Sequence, residues 1–241
     1  MSILAQFLFG SYARRDFNQR SDVDILCVTE ENWQRNASEG KINISFYPKS
    51  DFLKASSQGD LFILHIIKES KVLYDPNSLH HLAERAFQYK STYQEDIRNA
   101  SELGWFLLKN STKYPPSVDA NRIFNKRMAW CVRTILIALS VQNDNPIFDA
   151  YGLSKISGSD KTFDLLSHKD EPTVSRTDLN EFDRIISEFG TKKIPFYLIH
   201  TAKGSIKYFS EKGNQVAVKT LGSGLDQHQK AMTAASATAE A

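Results

Sequence analysis

The sequence predicts an α+β chain: a small mixed-sheet domain at residues 1–76, an all-helical domain at 77–220 and a disordered tail at 221–241. Three observations carry this. Short β-branched and aromatic runs alternate near the amino end, apolar residues adopt helical spacing from Leu79 onward, and the last residues, LGSGLDQHQKAMTAASATAEA, are small and polar.

In chain order, strands are expected at Leu4–Phe9, Val23–Val28, Ile42–Tyr47 and Val72–Tyr74. Between the last two, SDFLKASSQGDLFILHIIKES reads as helix, with Ser50 as its capping residue. The YDPNS turn at Tyr74–Ser78 closes this unit. Helices follow at Leu79–Asn110, Val118–Val141, Phe148–Ile156 and Asp178–Phe189, the first two separated by the paired prolines of KYPPS. Ile156–Val174 reads as an exposed connection, and no internal repeat is visible.

Composition narrows the function less than the motifs do. The 241 residues are 41% apolar with a net charge of +2, enough for ordinary cores and too mild to argue for nucleic-acid binding on charge alone. Cys27 and Cys131 fit neither a disulfide framework nor a metal-binding pair, and both are expected to be buried thiols. The opening MSILAQFLF lacks a basic leader region and reads as a strand rather than a signal peptide; no apolar run reaches membrane-spanning length. No membrane association is expected, and the reducing cytoplasm is the expected location.

The chemistry concentrates in FLFGSYARRDFNQRSDVDILCV, Phe7–Val28. Residues two apart on a strand share a face, so Asp22 and Asp24 are expected side by side, with Val23 and Ile25 turned the other way into a core. Adjacent carboxylates repel, and a hard divalent cation such as Mg²⁺ resolves the repulsion while gathering phosphates. Gly10 lets phosphate oxygens approach the backbone, and the Ser11 hydroxyl, with a helix start at Tyr12–Arg15, supplies donors.

Gly10-Ser11, ten intervening residues and then Asp22-Val23-Asp24 resembles the signature of the minimal nucleotidyltransferases of the DNA polymerase beta superfamily. GSYAR and SDVDI match its wording, and the resemblance covers about residues 4–75. It implies metal-assisted transfer of a nucleoside monophosphate from a triphosphate, ATP favoured, to a hydroxyl of RNA, protein or a small molecule. Asp22 and Asp24 are then the catalytic and metal-holding residues, for two Mg²⁺ with Mn²⁺ as a substitute. Gly10, Ser11 and Arg14 bind nucleotide.

Two departures from the family pattern stand out. Members commonly place a third carboxylate on the next strand, yet here Asn43, Ser45 and Tyr47 alternate with Ile42, Ile44 and Phe46. Asn43 or Ser45 as a weak ligand, or Asp51 or Asp60 reaching in from the following helix, are the available substitutes. The chain also opens almost on its first strand, where members often begin with a helix; another element or a partner protein is expected over that sheet face. His65 reads as a replacement ligand or, more simply, as a residue at the edge of a packed helix.

In the helical half, Arg122, Lys126 and Arg133 form a basic stripe. Helical domains of larger superfamily members often contribute a basic residue to the triphosphate, which makes Lys126 the first candidate here and Arg122 the second. The alternative for each is a solvated surface. After Arg133 no histidine follows at the spacing of HEPN ribonuclease partners, so RNase activity is not expected. Arg14, Arg15, Lys68 and Lys71 are candidates for an acceptor groove, with a simple surface role as the equal alternative. Three functions follow in order: a nucleotidyltransferase, a catalytically weakened nucleotide-binding antitoxin-like protein working with a partner or its own copies, and an RNA-binding helical module.

Overall fold

A computed structural model describes residues 2–19, 21–111, 118–192 and 202–221. The expected tail and the KYPPS breaker fall outside them, apart from Leu221. The chain divides into two compact units, Met1–Thr92 and Tyr93–Ala241.

The first unit runs β1 (Ile3–Phe9), α1 (Ser11–Arg14), β2 (Val23–Thr29), β3 (Arg35–Glu39), β4 (Ile42–Pro48), α2 (Lys49–Ser57), α3 (Leu61–Glu69), β5 (Lys71–Tyr74) and α4 (Leu79–Ala86). The five strands form one sheet in the order β3-β4-β2-β1-β5. Only β2 and β4 are parallel, so the sheet is mixed as the sequence predicts. β3 was not expected. Its RNASE sequence carries almost no apolar signal, because it is an edge strand held mainly by backbone pairing with β4.

The predicted helix between the third and last expected strands is two helices. Apolar spacing continues across the break, but Gly59 sits at φ +67°, where a Cβ would lie 2.4 Å from the Gln88 carbonyl oxygen. Asp60 then caps α3 by accepting from the backbone N–H of Phe62 and Ile63. Ser50 caps nothing; Pro48 precedes α2.

The core lies between the sheet and α2, α3 and α4. It gathers Ala5 and Phe7 of β1, Leu26 and Val28 of β2, Phe52, Ile63, Ile66 and Ile67, and Leu79 and Ala83 of α4. α4 belongs here because Ser56 Oγ donates to the Ala83 carbonyl from within this core. The first unit therefore ends at Thr92, where 76 was the expected boundary.

Leu26 and Val28 share a face with Asp24 by the two-residue period of the strand. Asp24 thus stands on the helix-covered face, and Val23 and Ile25 point the other way, away from this core, contrary to expectation. The central strand VDILCVT is apolar at both parities, so alternation alone does not assign its faces.

The second unit is helical: α5 (Gln94–Asn110), α6 (Val118–Gln142), α7 (Ala150–Ser157), α8 (Asp160–Ser167), α9 (Arg176–Phe189), α10 (Ala202–Glu211) and α11 (Gln215–Thr220). The expected helix over Leu79–Asn110 is interrupted where Phe87 leaves α4 in an extended conformation. The expected exposed connection contains α8, whose Thr162, Leu165 and Leu166 are buried. After it, Asn121 and Asn125 of α6 donate to the carbonyls of Pro172, Glu171 and Thr173 and hold that segment down. Cys27 and Cys131 are buried free thiols, as expected. Among the described residues no helix is long and apolar enough to cross a membrane.

Candidate active site

The antiparallel register of β1 and β2 sets Asp24 opposite Phe9, and the chain turns at once into Gly10. Gly10 adopts φ 73° and ψ −154°, a conformation that side-chain-bearing residues avoid. A Cβ there would lie 3.1 Å from Asp24 Oδ2. The glycine and the carboxylate are therefore in direct apposition, which is the arrangement the two motifs imply.

The Gly10 carbonyl accepts from the N–H of Ala13 and Arg14, opening α1 on Ser11. Among the described residues the Ser11 hydroxyl takes no hydrogen-bond partner. Asp22 lies just ahead of β2, and the next residue is anchored by Val23 N–H donating to the Lys41 carbonyl at 2.7 Å. The backbone that carries both aspartates is thereby fixed to the β3–β4 hairpin.

On the other side, Asp24 is the parallel partner of Asn43 on β4. Asn43 Nδ2 donates to Asp24 Oδ1 at 3.2 Å, and Ser38 Oγ donates to Asn43 Oδ1 at 2.8 Å. An amide thus stands beside Asp24 where the family pattern leads one to expect a carboxylate. The acidic substitutes are engaged elsewhere: Asp60 caps α3, and Asp51 accepts from Gln34 Nε2. Among the described residues no group of three or more His, Cys, Asp and Glu side chains is gathered to hold a metal ion.

Arg14 was expected to bind nucleotide, and the structure gives it protein partners. Its guanidinium donates to Glu69 at 2.8 Å and to Asp16 at 3.0 Å. His65 Nε2 lies 3.0 Å from the same Glu69 carboxylate, and its ring meets Phe9 edge to face. His65 is therefore the half-buried helix-edge residue of the simpler reading. Burial alone would raise the Glu69 carboxyl, but the bonds from His65 and Arg14 and the guanidinium charge outweigh it and hold it below the usual carboxylate range.

The basic stripe of α6 is part of the second unit. Arg122 and Lys126 are exposed, and Lys126 pairs with Asp170 at 3.0 Å. Arg133 departs from the stripe, since its guanidinium donates to the Phe148 carbonyl and ties α6 to the segment before α7. Lys68, Lys71 and Arg15 are at the surface. Ser38, on the edge strand β3, joins this group through its bond to Asn43, and its polar edge-strand surroundings carry no sequence motif.

A mixed sheet that sets an acidic residue against a strand-end glycine is the arrangement that the Gly-Ser and Asp-Val-Asp motifs imply. Residues 1–79 match the family model described as Polymerase beta, Nucleotidyltransferase, and the first unit carries a nucleotidyltransferase domain of that superfamily. Among solved structures, a nucleotidyltransferase-like protein from Exiguobacterium sibiricum 255-15 is similar at 7% identity and a TM-score of 0.33, covering 87% of this chain and 74% of that one. No curated protein matches the sequence.

Proposed function

We propose that the protein moves a nucleoside monophosphate from a nucleoside triphosphate, ATP favoured, to a hydroxyl of RNA, protein or a small molecule in the cytoplasm. The observation that carries this reading is the apposition of Asp24 Oδ2 with Gly10 at the start of α1. Phosphate oxygens need a backbone without a side chain and a carboxylate-held charge nearby, and these two residues supply both at one point.

The donor chemistry at Asp22 and Asp24 fits a hard divalent cation, Mg²⁺ or Mn²⁺: carboxylate oxygens, one of them oriented by an amide. Such an ion supplies neutralisation of the triphosphate and acidification of the acceptor hydroxyl. The chain's own contribution is positional. Asn43 and the β2–β4 pairing hold Asp24, the Ser11 hydroxyl is available as a donor to a terminal phosphate, and the Gly10 turn leaves the backbone approachable. Lys126 and then Arg122 remain the proposed basic contributors from the helical unit. Lys126 pairs with Asp170 at 3.0 Å, the lysine exposed and the carboxylate partly buried.

Incubation of the full chain with labelled ATP, CTP, GTP or UTP, Mg²⁺ and pools of RNA, protein and small acceptors tests the reading. Label is expected to transfer, and Asp24→Ala is expected to lower the rate about a thousandfold, the equivalent of about 4 kcal/mol. Absence of transfer with every nucleotide and acceptor sinks it. A second reading, a nucleotide-binding antitoxin-like protein with weakened chemistry, draws on one observation: Asn43 stands beside Asp24 where an acidic ligand is expected. It predicts triphosphate binding by calorimetry without turnover and a partner or second copy that co-purifies.

A further inference from the structure

Ser38, Asn43, Asp24 and Phe9 form one lateral row of the sheet, because Ser38 pairs with Asn43, Asn43 with Asp24, and Asp24 with Phe9. A relay of side-chain hydrogen bonds runs along this row. Ser38 Oγ donates to Asn43 Oδ1 at 2.8 Å, and Asn43 Nδ2 donates to Asp24 Oδ1 at 3.2 Å. The Asp24 carboxylate, which only accepts, requires the amide nitrogen on its side, and the Ser38 hydroxyl supports that orientation by donating to the amide oxygen. With its oxygen engaged by the hydroxyl, its nitrogen is turned to the carboxylate.

An amide nitrogen has no lone pair to offer a cation, and the amide oxygen of Asn43 is directed toward β3. Asn43 therefore fills the neighbouring position without ligating from it. The two oxygens of Asp24 are left in unequal surroundings: Oδ1 faces an N–H, whereas Oδ2 lies on the Gly10 side, 3.1 Å from where a Cβ would stand. Paired ions in two-metal sites sit about 3.5–4 Å apart, so a carboxylate serving both must offer an oxygen to each. Here the N–H of Asn43 takes one lone pair of Oδ1, and the β4 position beside it offers an amide where a second ion would need another carboxylate.

We infer that Asn43 is a positioning residue for Asp24, held by the Ser38 relay, and that with an amide rather than a carboxylate at this position the site takes a single divalent cation on the Gly10 side. This rests on the nucleotidyl site proposed above. Removing an outer partner of a ligating group typically weakens metal binding about 10- to 100-fold, so the relay sets affinity as well as ion number.

The test counts Mn²⁺ by electron paramagnetic resonance on the full chain, held in excess over a non-hydrolysable nucleoside triphosphate whose binding is measured in the same samples. One Mn²⁺ per bound nucleotide is expected for the wild-type chain and two for Asn43→Asp, which places a carboxylate beside Asp24. Asn43→Ala and Ser38→Ala are expected to retain one ion at about 10-fold or more weaker affinity, with Ser38→Thr restoring it. Ser38 lies exposed on an edge strand, so its variants test the relay without disturbing the core. Nucleotide bound with two ions or none in the wild type, or undiminished affinity in both alanine variants, overturns this inference alone. Failure to bind nucleotide overturns the proposed function and this inference with it.

Discussion

Gly10 shows how much one residue carries here. Any side chain at this position meets two penalties, the positive φ of 73° and the 3.1 Å approach to Asp24 Oδ2. Gly10→Ala is expected to cost about 1–2 kcal/mol in urea unfolding. It should also lower nucleotide affinity by more than that loss of stability explains, because the new methyl occupies the space a phosphate oxygen would use. Equal affinity for nucleotide in Gly10→Ala and wild type would count against the turn as the phosphate contact. The glycine and its aspartate were legible in the sequence as a motif. What the amide of Asn43 does with Asp24 was not, because a lateral hydrogen bond depends on the register of two strands.

At the scale of elements, α1 is tied to α3 by the Arg14–Glu69 ion pair, with side chains 16% and 19% exposed. Because the Glu69 carboxyl is lowered from its ordinary 4.5 in the folded chain, this contribution is fully present above that pH and is lost as the pH falls through the folded value. Urea midpoints are therefore expected to fall on acidification below about pH 4.5, by an amount worth about 1–2 kcal/mol, and Glu69→Gln should flatten that dependence. A parallel decline in Glu69→Gln and wild type would assign the acid sensitivity to other carboxylates. The break between α2 and α3 makes a second test. Asp60→Ala removes an N-cap and is expected to cost about 1 kcal/mol in thermal or denaturant unfolding, whereas Ser50→Ala, which caps nothing, should be nearly silent. Sequence periodicity could not separate these two serine and aspartate positions, because the apolar spacing runs through both helices and the interruption is made by the backbone of Gly59 against Gln88.

At the scale of the whole molecule, the boundary between units predicts which fragments fold. A fragment of residues 1–92 contains α4, with Leu79 and Ala83 completing the core, whereas one of residues 1–76 lacks both. The longer fragment is expected to unfold cooperatively by circular dichroism, and the shorter to lose that cooperativity; a cooperative transition in residues 1–76 would show that α4 is dispensable. The sequence by itself determined the mixed-sheet unit, the helical character of the rest, the four principal strands and the Gly10, Ser11, Asp22 and Asp24 motif, because hydrophobic periodicity and turn chemistry are local properties. Tertiary structure alone decided the edge strand β3, the core face of β2, the placement of α4, the engagement of Arg14 by Glu69 and the amide beside Asp24. Each of these is a contact between residues distant in the chain, and its free energy exists only once the strands have chosen their partners and register.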